Sequence, residues 1–122
     1  MARMRSLMIV DDNARARDAL TAYFSGLPEW QVSAEAFDGQ DALDQLRTRV
    51  PDVVLMDCRM PRMTGPEATR ILKRRWPQLK VVILSVYPEC RLDAEQAGAD
   101  AFLIKGCSSE ELLSTVLSVI AE

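Results

Sequence analysis

The chain has 122 residues, 48% of them hydrophobic, with 15 basic and 18 acidic residues and a formal charge of −3. That is the size of one domain (residues 1–122) with enough apolar side chains for a core, and no apolar run approaches the ~20 residues of a membrane span. The acidic balance points away from a duplex-binding surface, and the absence of histidine removes histidine metal ligands, histidine general bases and Ser/His/Asp triads.

The N-terminus, MARMRSLMIVDD, carries positive charges but no signal-peptide core and cleavage site, so a cytoplasmic location is the expectation. Cys58, Cys90 and Cys107 are far apart and form no Cys-x-x-Cys, which fits neither a disulfide framework nor a zinc site but a reducing compartment. Cys58 reads as a core filler.

Leu7 to Val10 reads as the first strand, followed by Asp11 and Asp12. Asn13 is a plausible N-cap for a helix with Ala16, Ala19, Leu20, Tyr23, Phe24 and Leu27 inward, ended by Gly26 and Pro28. Gln31 to Ala36 alternates, with Val32, Ala34 and Ala36 on one face, as an edge strand does. Asp38-Gly39 turns the chain into a second helix that buries Ala42, Leu43 and Leu46 and ends at Pro51. Val53 to Met56 is an apolar, β-branched run that stops at Asp57, with Pro61 and Gly65 as breakers and Pro66 placed to start a helix. Ala68, Ile71, Leu72 and Trp76 mark that third helix, which Pro77 ends. Its basic cluster, Arg70, Lys73, Arg74 and Arg75, reads as a solvated face. Val81 to Leu84 is a fourth strand, followed by Ser85. Pro88 to Ala97 is a weakly amphipathic fourth helix closed by Gly98. Ala101 to Ile104 is the fifth strand, followed by Lys105. Ser108 and Glu111 suit a capping box for a last helix that buries Leu112, Leu113, Val116, Leu117 and Ile120.

Strands alternating with helices imply a parallel sheet with right-handed crossovers. An edge-like second strand favours the order 2-1-3-4-5, a flavodoxin-like doubly wound α/β sheet. Asp11, Asp12, Asp57, Ser85 and Lys105 then meet at one sheet edge, where ligands bind in such folds. Three carboxylates at close range repel and raise a pKa among themselves. A hard divalent cation relieves this, and Mg²⁺ takes carboxylates, water and a phosphate oxygen. The site therefore reads as one for Mg²⁺ plus a phosphoryl group, with Asp57 as nucleophile on phosphorus. Lys105 would balance charge on the phosphoryl oxygens, and Ser85 would donate a hydrogen bond to one of them.

At these residues the chain resembles the receiver domain of bacterial two-component response regulators, over essentially its whole length. The resemblance rests on Asp11-Asp12, the Met-Asp-x-x-Met-Pro stretch through Pro61 with Gly65, Ser85, Ala97 to Ala101, and Lys105. The segment from Gly98 to Lys105 is similar to the subclass that usually carries a LuxR-type helix-turn-helix output domain. The resemblance implies that a sensor histidine kinase donates its phosphoryl group to Asp57. It implies that Asp12, Asp57 and the backbone carbonyl of Arg59 ligate Mg²⁺, with Asp11 acting largely through water. It also implies that Ser85 moves toward the phosphoryl group, and that Phe102, at the aromatic switch position, turns inward. The face made by the fourth helix, fifth strand and fifth helix then changes partners, with homodimerisation through it as one outcome. DNA contact would belong to an output domain outside this chain, with no membrane partner.

Some positions depart from the family pattern. Val86 stands where a smaller residue is usual and is expected to crowd the phosphoryl pocket. Gly106 replaces a frequent proline, so a trans peptide is expected, since a non-proline cis bond costs ~3 kcal/mol. Phe102 has no hydroxyl and can signal only by packing. Competing readings are a Mg²⁺-dependent phosphatase with an aspartyl nucleophile, a flavin module, and a receiver-like domain that no longer takes phosphate. The first needs an acid where Arg59 stands, the second a loop without the acids at 11 and 12, and the third is opposed by the intact acid set and Lys105. The reading is thus a phosphoacceptor switch rather than a turnover enzyme.

Overall fold

The computed structural model describes residues 4–121; residues 1–3 and 122, which the expected single domain includes, lie outside the described residues. Strands β1 (Arg5–Val10), β2 (Trp30–Ala36), β3 (Val53–Asp57), β4 (Lys80–Ser85) and β5 (Ala101–Ile104) alternate with helices. These are α1 (Ala14–Ser25), α2 (Gly39–Leu46), α3 (Gly65–Arg75), α4 (Cys90–Ala97) and α5 (Ser109–Ile120). The strands form one parallel sheet in the order β2-β1-β3-β4-β5, the flavodoxin-like topology expected from the sequence.

The inner strands are continuous apolar runs because both faces of the sheet are covered. Leu7, Ile9, Val53, Leu55, Val82, Leu84 and Leu103 pack with Phe24 of α1 and with Leu112, Val116 and Val119 of α5. On the other face Met8, Val10, Val54, Met56, Val81, Ile83 and Phe102 pack under α2, α3 and α4. Each large apolar side chain buried in this way stabilises the fold by roughly 1.5–3 kcal/mol. Every strand that carries a site residue is thereby fixed on two sides.

Three details depart from the sequence reading. The alternation in β2 is broken by a register shift: Leu7 pairs with Val32 but Met8 pairs with Ala34. The extra residue, Ser33, puts Val32 with the α1/α5 layer and Ala34 and Ala36 with the other. In α1 only Phe24 is fully buried, and Ala19 is exposed, because the buried face centred on Phe24 is narrower than the predicted stripe. In α5 Val119 takes a core position, while Leu113, Leu117 and Ile120 are half-buried at its rim.

The helix starts follow local hydrogen bonding. Asn13 accepts from the Ala16 N–H and Asp38 from the Asp41 N–H. The complete reciprocal capping box stands at Thr64 and Glu67, with Pro66 in the first turn. At α5 Ser108 accepts from the Glu111 N–H, which is one half of the expected box. Helix α4 has no side-chain cap bond at its N-cap residue Glu89 and closes on Gly98 at φ 94°. Among the described residues no peptide bond is cis, so the Lys105–Gly106 bond is trans as expected.

Candidate functional site

Strands β1 and β3 are neighbours, with Val10 opposite Met56. The residues that follow, Asp11 and Asp57, therefore leave the sheet side by side. One carboxylate oxygen from each of Asp11, Asp12 and Asp57 lies within 4.8 Å of the others. Asp11 is buried, Asp57 half-buried and Asp12 exposed, so the cluster opens to solvent on the Asp12 side. Lys105 comes to it from the end of β5. The Lys105 N–H donates to the Ser85 carbonyl at 2.9 Å, which holds the end of β5 against the end of β4. Lys105 Nζ then lies 2.7 Å from Asp11 Oδ2 and 3.3 Å from Asp57 Oδ2.

Backbone groups fix the carboxylates. Asp57 Oδ1 accepts from the Cys58 N–H at 2.8 Å, and Asp11 Oδ1 from the Asn13 N–H at 2.9 Å. Arg17, from α1, donates to the Asp11 carbonyl at 2.6 Å and faces Glu35 at 3.6 Å. No strand-end signal pointed to Arg17; its role depends on a helix folding back over its own strand.

Burial pushes the Asp57 carboxyl above its ordinary pKa, and the Asp11 charge adds to the rise; Lys105 and the Cys58 N–H work against it. Burial draws the Lys105 ammonium downward, but its hydrogen bond to Asp11 and the charges of Asp57 and Asp11 outweigh this and raise it. The cluster thus holds more negative charge than its one ammonium balances. Three hard oxygen donors on one open edge suit a hard divalent cation such as Mg²⁺, and among the described residues no soft ligand belongs to the cluster. Cys58 beside them is buried in the core, and its thiol is pushed up to about 12 by burial and by hydrogen bonding to the Cys90 thiol. It packs rather than reacts.

Two loops form the rim. The β3–α3 loop closes at its neck, where the Gly65 N–H donates to the Cys58 carbonyl at 2.7 Å. A Cβ at Gly65 would lie 2.2 Å from the Asp57 carbonyl oxygen, so only glycine fits there. From this loop the Arg59 guanidinium stacks 3.6 Å above the Tyr87 ring and pairs with Glu89 at 3.3 Å, bridging to the β4–α4 loop. Ser85 is fully buried, and its hydroxyl accepts from the Tyr87 N–H at 3.0 Å.

The structure places two residues differently from expectation. Val86 is not buried against the pocket but 58% exposed; Arg59 stacked on Tyr87 adds bulk at the rim. Phe102 is already inside, 7% exposed in the α2/α3/α4 layer, with the Arg91 guanidinium 4.8 Å above its ring. The alternating pattern of β5 aims it at the core, and the cation above it covers its open side.

A family model described as the response regulator receiver domain matches residues 7–117. The chain is 38% identical over 120 residues to the response regulator GacA of Pseudomonas aeruginosa, a match covering 97% of this chain and 56% of that protein. It is 37% identical over 118 residues to the response regulator UvrY of Escherichia coli, covering 95% of this chain and 54% of that protein. The chain thus spans about half the length of the curated relatives it matches. Among solved structures, a LuxR-family two-component response regulator from Aurantimonas superposes with a TM-score of 0.91 at 28% identity, covering 97% of this chain and 86% of that one.

Proposed function

Because this chain belongs to the response regulator receiver family, we propose that it takes a phosphoryl group on Asp57 from the phosphohistidine of a sensor kinase. The observation that carries the reading is the placement of Asp57 at the end of β3, 3.3 Å from Lys105 and grouped with Asp11 and Asp12. These 122 residues hold no histidine, so the donor imidazole lies outside them.

An Asp57 carboxylate oxygen attacks phosphorus, the P–N bond breaks, and the imidazole leaves with the electron pair. The product is an acyl phosphate on Asp57. Lys105, already between Asp11 and Asp57, turns its remaining N–H to a phosphoryl oxygen and stabilises the charge that develops there. Asp12, Asp57 and the Arg59 carbonyl would hold Mg²⁺, with Asp11 acting through water. Bound there, the ion neutralises the clustered carboxylates and the phosphoryl oxygens. The Cys58 N–H keeps Asp57 Oδ1 oriented, which leaves Oδ2 toward Lys105.

The switch begins at Ser85. Its hydroxyl, which accepts from the Tyr87 N–H, turns its O–H to donate to a phosphoryl oxygen and draws the β4–α4 loop toward the site. Helix α4, without a side-chain cap, is the element that yields. Phe102 then signals by a change in packing against Arg91 and not by entering the core. A cavity of about 400 Å³ beside it, lined by residues including Arg91, Phe102, Lys105 and Glu111, belongs to the α4-β5-α5 face. That face would change partners or form a homodimer. DNA would be reached only through a LuxR-type output domain, and the setting would be the cytoplasm. The domain is a switch whose chemistry ends at slow self-phosphorylation and autodephosphorylation. The position two after Asp57, where a phosphatase needs its second acid, is Arg59, stacked on Tyr87.

The test is incubation with Mg²⁺ and a small phosphodonor. The intact mass should rise by one phosphoryl group per chain, and Asp57→Asn should abolish the gain. Unchanged labelling of the variant would remove Asp57 from the role.

A further inference from the structure

Besides Asp11, a second buried carboxylate lies outside the acid cluster. Asp38, at the end of the β2–α2 turn, is 1% exposed. Its Oδ1 caps α2 by accepting from the Asp41 N–H at 2.8 Å. Its Oδ2 takes an ion pair from Arg62, whose Nε lies at 3.1 Å and whose Nη2 also donates to the same oxygen. An exposed residue would cap the helix as well, so capping does not account for burying the acid.

Arg62 sits at the tip of the β3–α3 loop with φ 68°, the one described residue other than glycine in the left-handed region. An L-residue rarely adopts that conformation unless its surroundings impose it. A second contact joins the same two segments. A Cβ on Gly39, next to Asp38, would lie 2.8 Å from Met63 Sδ and 3.0 Å from its Cγ. The Asp38-Gly39 turn is thus a platform on which residues 62 and 63 rest. The neck of that loop is pinned separately, by the Gly65 to Cys58 hydrogen bond. Arg59 lies between the two anchors.

We propose that Asp38 is a positioning residue for the phosphoryl-transfer site: through Arg62 it holds the tip of the β3–α3 loop, and with it the backbone at Arg59 that would supply a carbonyl to Mg²⁺. Loss of the clamp frees one anchor of a loop whose other end leads from Asp57. The cation then meets the same carboxylates but must order the loop as it binds, which weakens binding without removing a ligand. This rests on the reading of Asp57, Asp12 and the Arg59 carbonyl as the Mg²⁺ site.

The experiment compares the parent with Asp38→Asn, which keeps a capping side chain but drops the charge, and with Arg62→Gly, which drops the cation and suits the positive φ. Mg²⁺ affinity is measured by titration calorimetry, and amide hydrogen exchange is followed at residues 59–63 in metal-free protein. The rate of Asp57 phosphorylation is measured as a function of Mg²⁺. Both variants should bind Mg²⁺ about tenfold more weakly, the scale for supports behind metal ligands. Both should exchange faster at 59–63, and both should approach the parental rate at saturating Mg²⁺. The double variant should lose no more than either single one, since both break one contact. Parental affinity and parental exchange in both single variants would overturn the clamp and leave the function standing. A parent protein that binds no Mg²⁺ would overturn the functional reading and this inference with it.

Discussion

Gly65→Ala should damage the site more than the fold. The new Cβ would lie 2.2 Å from the Asp57 carbonyl oxygen and 3.1 Å from both the Asp57 carbonyl carbon and Cys58 Cα. Every one of these is backbone at the neck of the loop, so no side chain can rotate away. Real carbon–oxygen contacts do not fall below about 3 Å, so the neck must open by roughly 0.8 Å. Overpacking of this kind costs about 1–3 kcal/mol of stability. The same opening moves Asp57 and the residue after it relative to Lys105 and Asp11. A displacement near 1 Å at a reacting group can cost about a hundredfold in rate. The assay is Asp57 phosphorylation from a small phosphodonor at saturating Mg²⁺, alongside urea denaturation. Gly39→Ala is the internal control: its Cβ meets the flexible Met63 side chain at 2.8 Å, which can turn aside, so the phosphorylation rate at saturating Mg²⁺ should stay near the parent's. Phosphorylation by Gly65→Ala at the parental rate would refute the argument that the neck sets the position of Asp57.

Lys105→Met should slow phosphoryl uptake by about a hundredfold, the loss expected when one donor to developing charge is removed; a parental rate by intact-mass time course would contradict this. Asp57→Asn should stabilise the metal-free protein at neutral pH. A carboxyl raised above its unfolded value favours folding while protonated, and that contribution is lost as pH rises through the folded pKa; thermal melts at pH 4 and pH 7 in chelator should show the gain only at the higher pH. In the parent, Mg²⁺ at ten times its Kd should stabilise by about 1.4 kcal/mol, readable as a shift of several degrees in Tm. The Arg59–Tyr87 stack should shield the acyl phosphate from water, so Arg59→Asn with Tyr87→Ala should hydrolyse about tenfold faster; equal or slower decay would mean these side chains do not cover the bond. Beryllofluoride with Mg²⁺ should change hydrogen exchange across Cys90–Ala97, and identical exchange in both states would remove α4 from the switch.

The sheet order and the convergence of Asp11, Asp12, Asp57 and Lys105 were legible because each inner strand is an apolar run that stops at its polar residue. The polar residue that ends each run marks where the strand leaves the sheet, and the observed register carries the acids to one edge. The bulge at Ser33 was not legible, since the residue types of β2 alternate regularly and the inserted residue shows only in the pairing with β1. Thr64-x-x-Glu67 was present as a capping signal, but the proline and glycine around it read first as a loop. The inward placement of Phe102 follows from strand alternation, and the family resemblance pointed instead to a later movement. Val86 follows a buried serine, and nothing in its local sequence tells a wedge from a surface residue. Asp38–Arg62 and Arg59–Tyr87 join loops 24 and 28 residues apart in sequence, and such pairs exist only once the sheet has brought the loops together.

Chemical mapping of the phosphorylated residue tests the central claim most directly. An aspartyl phosphate reduced with borohydride becomes homoserine, which marks its position in a peptide. After reaction with Mg²⁺ and a small phosphodonor, tandem mass spectrometry should find homoserine at position 57 and at no other aspartate. Homoserine at position 11 or 12, or a phosphoryl group on a serine, threonine or cysteine with Asp57 unmodified, would contradict the account.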